Sequence, residues 1–132
     1  MAESQSPTPV ELAILQVLWE RGPSTVREIH NALKAQRDTG YSTTLKMVQV
    51  MTDKGLVARD ESRRPQVYRP SRRREQTQLQ LLDELIQRAF GGSASKLVLR
   101  AASARRISPD ELAEIKRLIE RATPGKAPKE RP

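Results

Sequence analysis

The sequence predicts a mainly α-helical protein in which three short helices are followed by one β-hairpin and then by a further helical arm. Three observations predict it. Capping boxes of the type Ser/Thr-x-x-Glu stand at Thr8–Glu11, Thr25–Glu28 and Ser108–Glu111, each ahead of apolar residues at helical spacing. The period switches from helical to strand-like after Gly55 and returns to helical beyond Ser71. The loop between the two strand-like runs, Asp60 to Pro65, is rich in Arg, Ser and Pro.

Taken in order, Thr8 caps the first helix, Pro9 suits its first position, and Leu12, Leu15, Val17, Leu18 and Trp19 form its apolar face up to Gly22-Pro23. Ser24 or Thr25 caps a second helix, with Val26, Ile29, Ala32 and Leu33 in phase, running to about Gln36. Ser42 is expected to cap a third, which continues through Lys54 and stops at Gly55. Leu56–Arg59 and Gln66–Arg69 read as strands. Three helices and a hairpin with a basic tip is the element order of a winged helix-turn-helix, in which the hairpin is the wing. From Ser71 a helix carrying Leu79, Leu82, Leu85, Ile86 and Phe90 reaches Gly91-Gly92. A shorter one, Ser95–Ser103, carries Leu97, and a last one carries Leu112, Ile115, Leu118 and Ile119. The predicted organisation is a disordered N-terminus (1–7), the winged module (8–70), a helical dimerisation domain (71–122) and a disordered tail (123–132).

At 132 residues neither half holds a large core alone, so a second copy is expected to cover the apolar stripes of the arm. Lys and Arg number 24 against 16 Asp and Glu, and the resulting net charge of +8 favours a polyanionic partner. The lack of cysteine excludes disulfides, thiolate metal sites and thiol nucleophiles. The N-terminal residues lack the basic flank and apolar run of a signal peptide, and no apolar stretch is long enough to span a bilayer, so a cytoplasmic protein with no membrane insertion is expected. No Gly-rich phosphate loop and no nucleophile–base pair is present, and His30 lacks companions at metal-ligand spacing. Neither an enzymatic activity nor a cofactor or metal is expected, and His30 reads as a surface or half-buried structural residue.

In a helix-turn-helix the second helix of the pair lies in the major groove of DNA, with its N-terminal residues at the base edges. Here that helix begins near Ser42. With Leu45, Val48 and Met51 turned inward, Thr43, Lys46, Met47 and Val50 fall on another face. Ser42, Thr43 and Thr44 can donate to phosphates or base edges, Lys46 adds charge, and Met47 and Val50 can touch thymine methyls or join the core. Tyr41 either bonds a phosphate or staples the turn to the core. Arg63 and Arg64, at the wing tip, suit phosphates or a narrow minor groove, the bland alternative being a solvated loop.

The stretches Pro7–Trp19, Ser24–Ile29, Tyr41–Thr44, Lys54–Val57 and Val67-Tyr68 resemble the penicillinase repressors, the BlaI/MecI/CopY-like winged-helix transcriptional regulators. The similarity covers about residues 7 to 122. It implies a homodimeric repressor on a palindromic operator of double-stranded DNA, with dimer contacts from the C-terminal helices. In some members a membrane sensor protease triggers relief by cleavage, at a position that corresponds here to Arg100-Ala101, where the Asn-Phe pair of the staphylococcal-type repressors is missing. Many members carry Arg where this chain has Val50, and the C-terminal cysteine motif of the copper-responsive branch is absent. Two other readings compete. A winged module can serve protein association without sequence-specific DNA binding. An RNA-binding role is disfavoured by the 3% aromatic content, because RNA readers stack bases on rings.

Overall fold

A computed structural model describes residues 6–122, and within it the chain runs α1 (Pro9–Arg21), α2 (Val26–Leu33), α3 (Tyr41–Asp53), β1 (Val57–Asp60), β2 (Val67–Pro70), α4 (Arg74–Ala89), α5 (Ala94–Ser103) and α6 (Pro109–Ala122). This is the expected mainly helical order with a two-stranded antiparallel hairpin. The tail 123–132, and all but the last two residues of the N-terminal segment 1–7, lie outside the described residues.

The capping boxes set the helix starts. Thr8 accepts from the Glu11 amide while Glu11 accepts from the Thr8 amide, and the pair Thr25 and Glu28 does the same for α2, so Thr25 rather than Ser24 is the cap. Ser108 and Glu111 repeat the arrangement at α6. Gly22 at φ 88° and Gly55 at φ 81° turn the chain out of α1 and α3 in the left-handed region, where a side chain would be strained. The cap expected of Ser42 is not made: α3 begins one residue earlier, with extended Gly40 as its cap and no side-chain cap hydrogen bond.

One core joins the first three helices to the hairpin. Ile14, Leu15, Val17 and Leu18 of α1, Val26, Ile29 and Leu33 of α2, Val48 and Met51 of α3, and Val57 and Tyr68 of the hairpin are buried together. Leu45, expected inside, is half-buried at its margin. Both strands start and end one residue later than expected, pairing Val57 with Pro70 and Asp60 with Val67. A backbone bridge helps to fix this register: the Ser24 amide donates to the Tyr68 carbonyl at 3.0 Å and the Tyr68 amide to Ser24 at 2.8 Å. The wing is thereby bonded to the turn between α1 and α2.

The fourth helix begins at Arg74, not at Ser71. The Arg72 carbonyl accepts the Trp19 indole N–H at 3.1 Å, and the Arg73 amide is held by the Gln76 side chain at 2.9 Å, so 71–73 turn before the helix opens. By internal packing the chain divides into two compact units between Asp83 and Glu84, inside α4. Thr77 is buried in the first unit. In α5 and α6 no described residue is buried, although both carry apolar side chains at helical spacing.

Candidate nucleic-acid interface

The third helix is two-faced. Thr44, Val48 and Met51 are buried, whereas Ser42, Thr43, Lys46, Gln49 and Val50 are exposed. Ser42, Thr43, Lys46, Met47 and Val50 line one shallow groove, together with Glu11 from the start of α1. The 3.6-residue period explains the grouping, since positions 43, 46, 47 and 50 recur on one side of the rod. Met47 is half-buried, and Val50 is 37% exposed and therefore not part of the core. The surface offers two hydroxyls, one ammonium and two apolar side chains. That set can hydrogen-bond phosphate or base edges and contact thymine methyl groups.

Thr44 corrects the sequence reading. Its side chain is fully buried, its hydroxyl donates to the Gly40 carbonyl at 3.4 Å, and it shares a 3.0 Å hydrogen bond with Nδ1 of His30. A hydroxyl committed inside the module cannot meet a nucleic acid, so Thr44 is not a surface donor. Tyr41 is half-buried: the His30 ring meets it edge-on, with centroids 5.6 Å apart at 84°, and the Arg27 guanidinium lies 4.1 Å from its centroid. His30 is buried on α2, deeper than the surface or half-buried position expected of it, where its hydrogen bond to Thr44 ties α2 to α3.

Glu11 joins the groove through a contact that the spacing did not announce. Its buried carboxylate receives Lys54 Nζ at 2.7 Å, fastening the start of α1 to the end of α3. Burial by itself pushes this carboxyl up. The hydrogen bonds and charge of Lys54 and the Thr8 amide outweigh it, and the net shift is downward.

On the wing, Arg63 and Arg64 are exposed in the loop between β1 and β2. Arg59 is neutralised by Glu61 at 3.0 Å, and Arg64 Nη1 reaches the Glu61 carbonyl at 3.4 Å. Asp60 accepts from the Ser62 amide and hydroxyl at 3.0 and 2.6 Å, which lower its pKa and shape the turn. Arg63 is exposed and makes no hydrogen bond or ion pair among the described residues, although its charge also helps to lower the Asp60 pKa.

Beyond the winged module, Leu79, Leu82, Leu85, Leu112, Leu118 and Ile119 are exposed, while Ile86, Phe90, Leu97 and Ile115 are half-buried. Leu99, 67% exposed, was missed by the sequence reading. Arg100 and Ala101 lie inside α5 rather than in a loop. Among the described residues no three His, Cys, Asp or Glu side chains cluster as metal ligands, and no helix is long and apolar enough to cross a membrane.

Residues 7–121 match the family model described as penicillinase repressor. The proteins named Transcriptional regulator BlaI from two strains of Mycobacterium tuberculosis are each 31% identical to this chain over 112 residues, covering 83% of it and 80% of their own length. With nearly the whole described chain inside the match, and with three helices leading into a hairpin, this protein belongs to the penicillinase repressor family.

Proposed function

We propose that this protein is a transcriptional repressor that binds a palindromic operator in double-stranded DNA as a homodimer. The observation that carries the proposal is the outward face of α3, where Ser42, Thr43, Lys46, Met47 and Val50 converge on one groove, in a module whose wing exposes Arg63 and Arg64 at its tip. A helix of this kind enters the major groove, and a flanking basic loop neutralises backbone phosphates. The net charge of +8 supports the same partner, and family membership supports the regulatory role.

Residues 8–70 serve as the DNA-binding module and 71–122 as the dimerisation arm. Two modules about 34 to 36 Å apart, or a multiple of that, engage half-sites on one side of the duplex. The exposed leucines of the arm support pairing, because apolar side chains left in water at helical spacing gain from burial against a partner. Relief by a sensor protease near Arg100-Ala101 requires α5 to open locally first, since nicking favours exposed loops over helices.

The contact model is tested with the combined variant Lys46→Ala, Arg63→Ala, Arg64→Ala. Its affinity for a footprinted genomic site falls, and its log-log salt slope shrinks by about 0.9 for every phosphate contact removed. An unchanged affinity and slope would show that this face does not meet DNA.

A further inference from the structure

We infer that Arg27 is a backbone-phosphate contact of the DNA interface, mounted on the ring of Tyr41; the inference rests on the DNA-binding reading above. Arg27 is exposed on the first turn of α2, and its guanidinium carbon lies 4.1 Å from the Tyr41 ring centroid. A guanidinium over an aromatic face is attracted by the ring's quadrupole, and this contact uses none of its N–H donors in conventional hydrogen bonds. Among the described residues Arg27 forms no hydrogen bond or ion pair. Its acidic neighbour does not neutralise it, because the Glu28 carboxylate is folded back onto the Thr25 amide at 2.9 Å.

The mount is itself fixed. Tyr41 is the first residue of α3, and its ring is met edge-on by His30, which is buried and hydrogen-bonded to Thr44 within the first turn of that helix. The cation is therefore registered to Ser42 and Thr43, the residues at the leading end of the groove-facing surface. Phosphate is the chemistry that fits. The first helix of a helix-turn-helix pair crosses the sugar-phosphate backbone while the second enters the groove, and a planar fork of donors matches phosphate oxygens. A stacked arginine also arrives already ordered, so that less side-chain freedom is lost on binding.

The test uses the full chain, a duplex bearing the footprinted site and a scrambled duplex of equal length, each titrated with KCl. Arg27→Ala is expected to weaken binding to both duplexes by the same factor and to lower the salt slope by about 0.9 per chain, whereas Arg27→Lys, which keeps the charge, restores the slope. Tyr41→Leu is expected to reproduce the Arg27→Ala loss, and the double variant to bind no more weakly than either single one, because the two act as a unit. Strictly additive losses overturn the mount. An Arg27→Ala slope equal to wild type, alongside a weakened Lys46→Ala control, overturns the phosphate contact and leaves the DNA reading standing. Wild-type protein that binds neither duplex overturns both. Since Arg27 is exposed, its variants decide the question even where Tyr41→Leu fails to fold.

Discussion

Thr44 and His30 illustrate how one buried pair supports an exposed surface. The threonine hydroxyl fills the hydrogen-bonding capacity of Nδ1 in a place closed to water, and the imidazole in turn abuts the Tyr41 ring. Thr44→Val keeps the shape and removes the partner. An unsatisfied buried nitrogen costs about 1 to 3 kcal/mol, so the urea midpoint should fall, with Thr44→Ser recovering most of the loss. A Thr44→Val protein as stable as wild type would mean that the hydrogen bond contributes nothing net. Thr44 also shows where spacing misleads: a hydroxyl one position from Thr43 and two from Lys46 lies on the inner side of the helix, because each residue rotates the direction by about 100°.

At the scale of elements, the winged module is a set of rods tied at their ends. Lys54 at the close of α3 holds Glu11 at the opening of α1, and Trp19 of α1 holds the Arg72 carbonyl ahead of α4. The first tie predicts a pH dependence. The Glu11 carboxyl titrates lower in the folded chain than in the unfolded one, despite burial, so the unfolded chain takes up the proton first. The stabilisation is complete above the ordinary glutamate value and is lost as pH falls through the lower folded one. Melting temperatures recorded across that acid range should drop more steeply for wild type than for Glu11→Gln, and parallel curves would sever the link. The second tie explains why α4 starts three residues beyond Ser71, a boundary set by a side chain far away in the sequence.

For the whole molecule the open question is what covers the arm. Leu85, Leu112 and Leu118 are each more than 40% exposed, and α5 and α6 bury no described residue. Apolar helices of this length are marginal unless a partner takes their stripes. If the arm pairs two copies as proposed, wild type scatters as a dimer at micromolar concentration and Leu85→Glu combined with Leu118→Glu shifts it to monomer. Operator binding should weaken with it, because one chain then holds a single half-site. A variant that stays dimeric would move the interface elsewhere.

The sequence by itself determined what is local. Three capping boxes act between residues i and i+3, and glycines at positive φ follow α1, α3 and α4, so the starts of α1, α2 and α6 and the order of helices and hairpin were readable without a fold. The start of α3 at Tyr41, the end of α2 at Leu33 instead of about Gln36 and the start of α4 at Arg74 were not. That Ser42, Thr43, Lys46, Met47 and Val50 share one side of α3 was also readable, all five belonging to a single rod. The tertiary structure alone decided the rest. The His30–Thr44 hydrogen bond, the one-residue shift of both strands, the Glu11–Lys54 tie and the contact of Arg27 with Tyr41 each join residues from different elements. Period and propensity describe one element at a time, whereas these contacts exist only once the elements have packed.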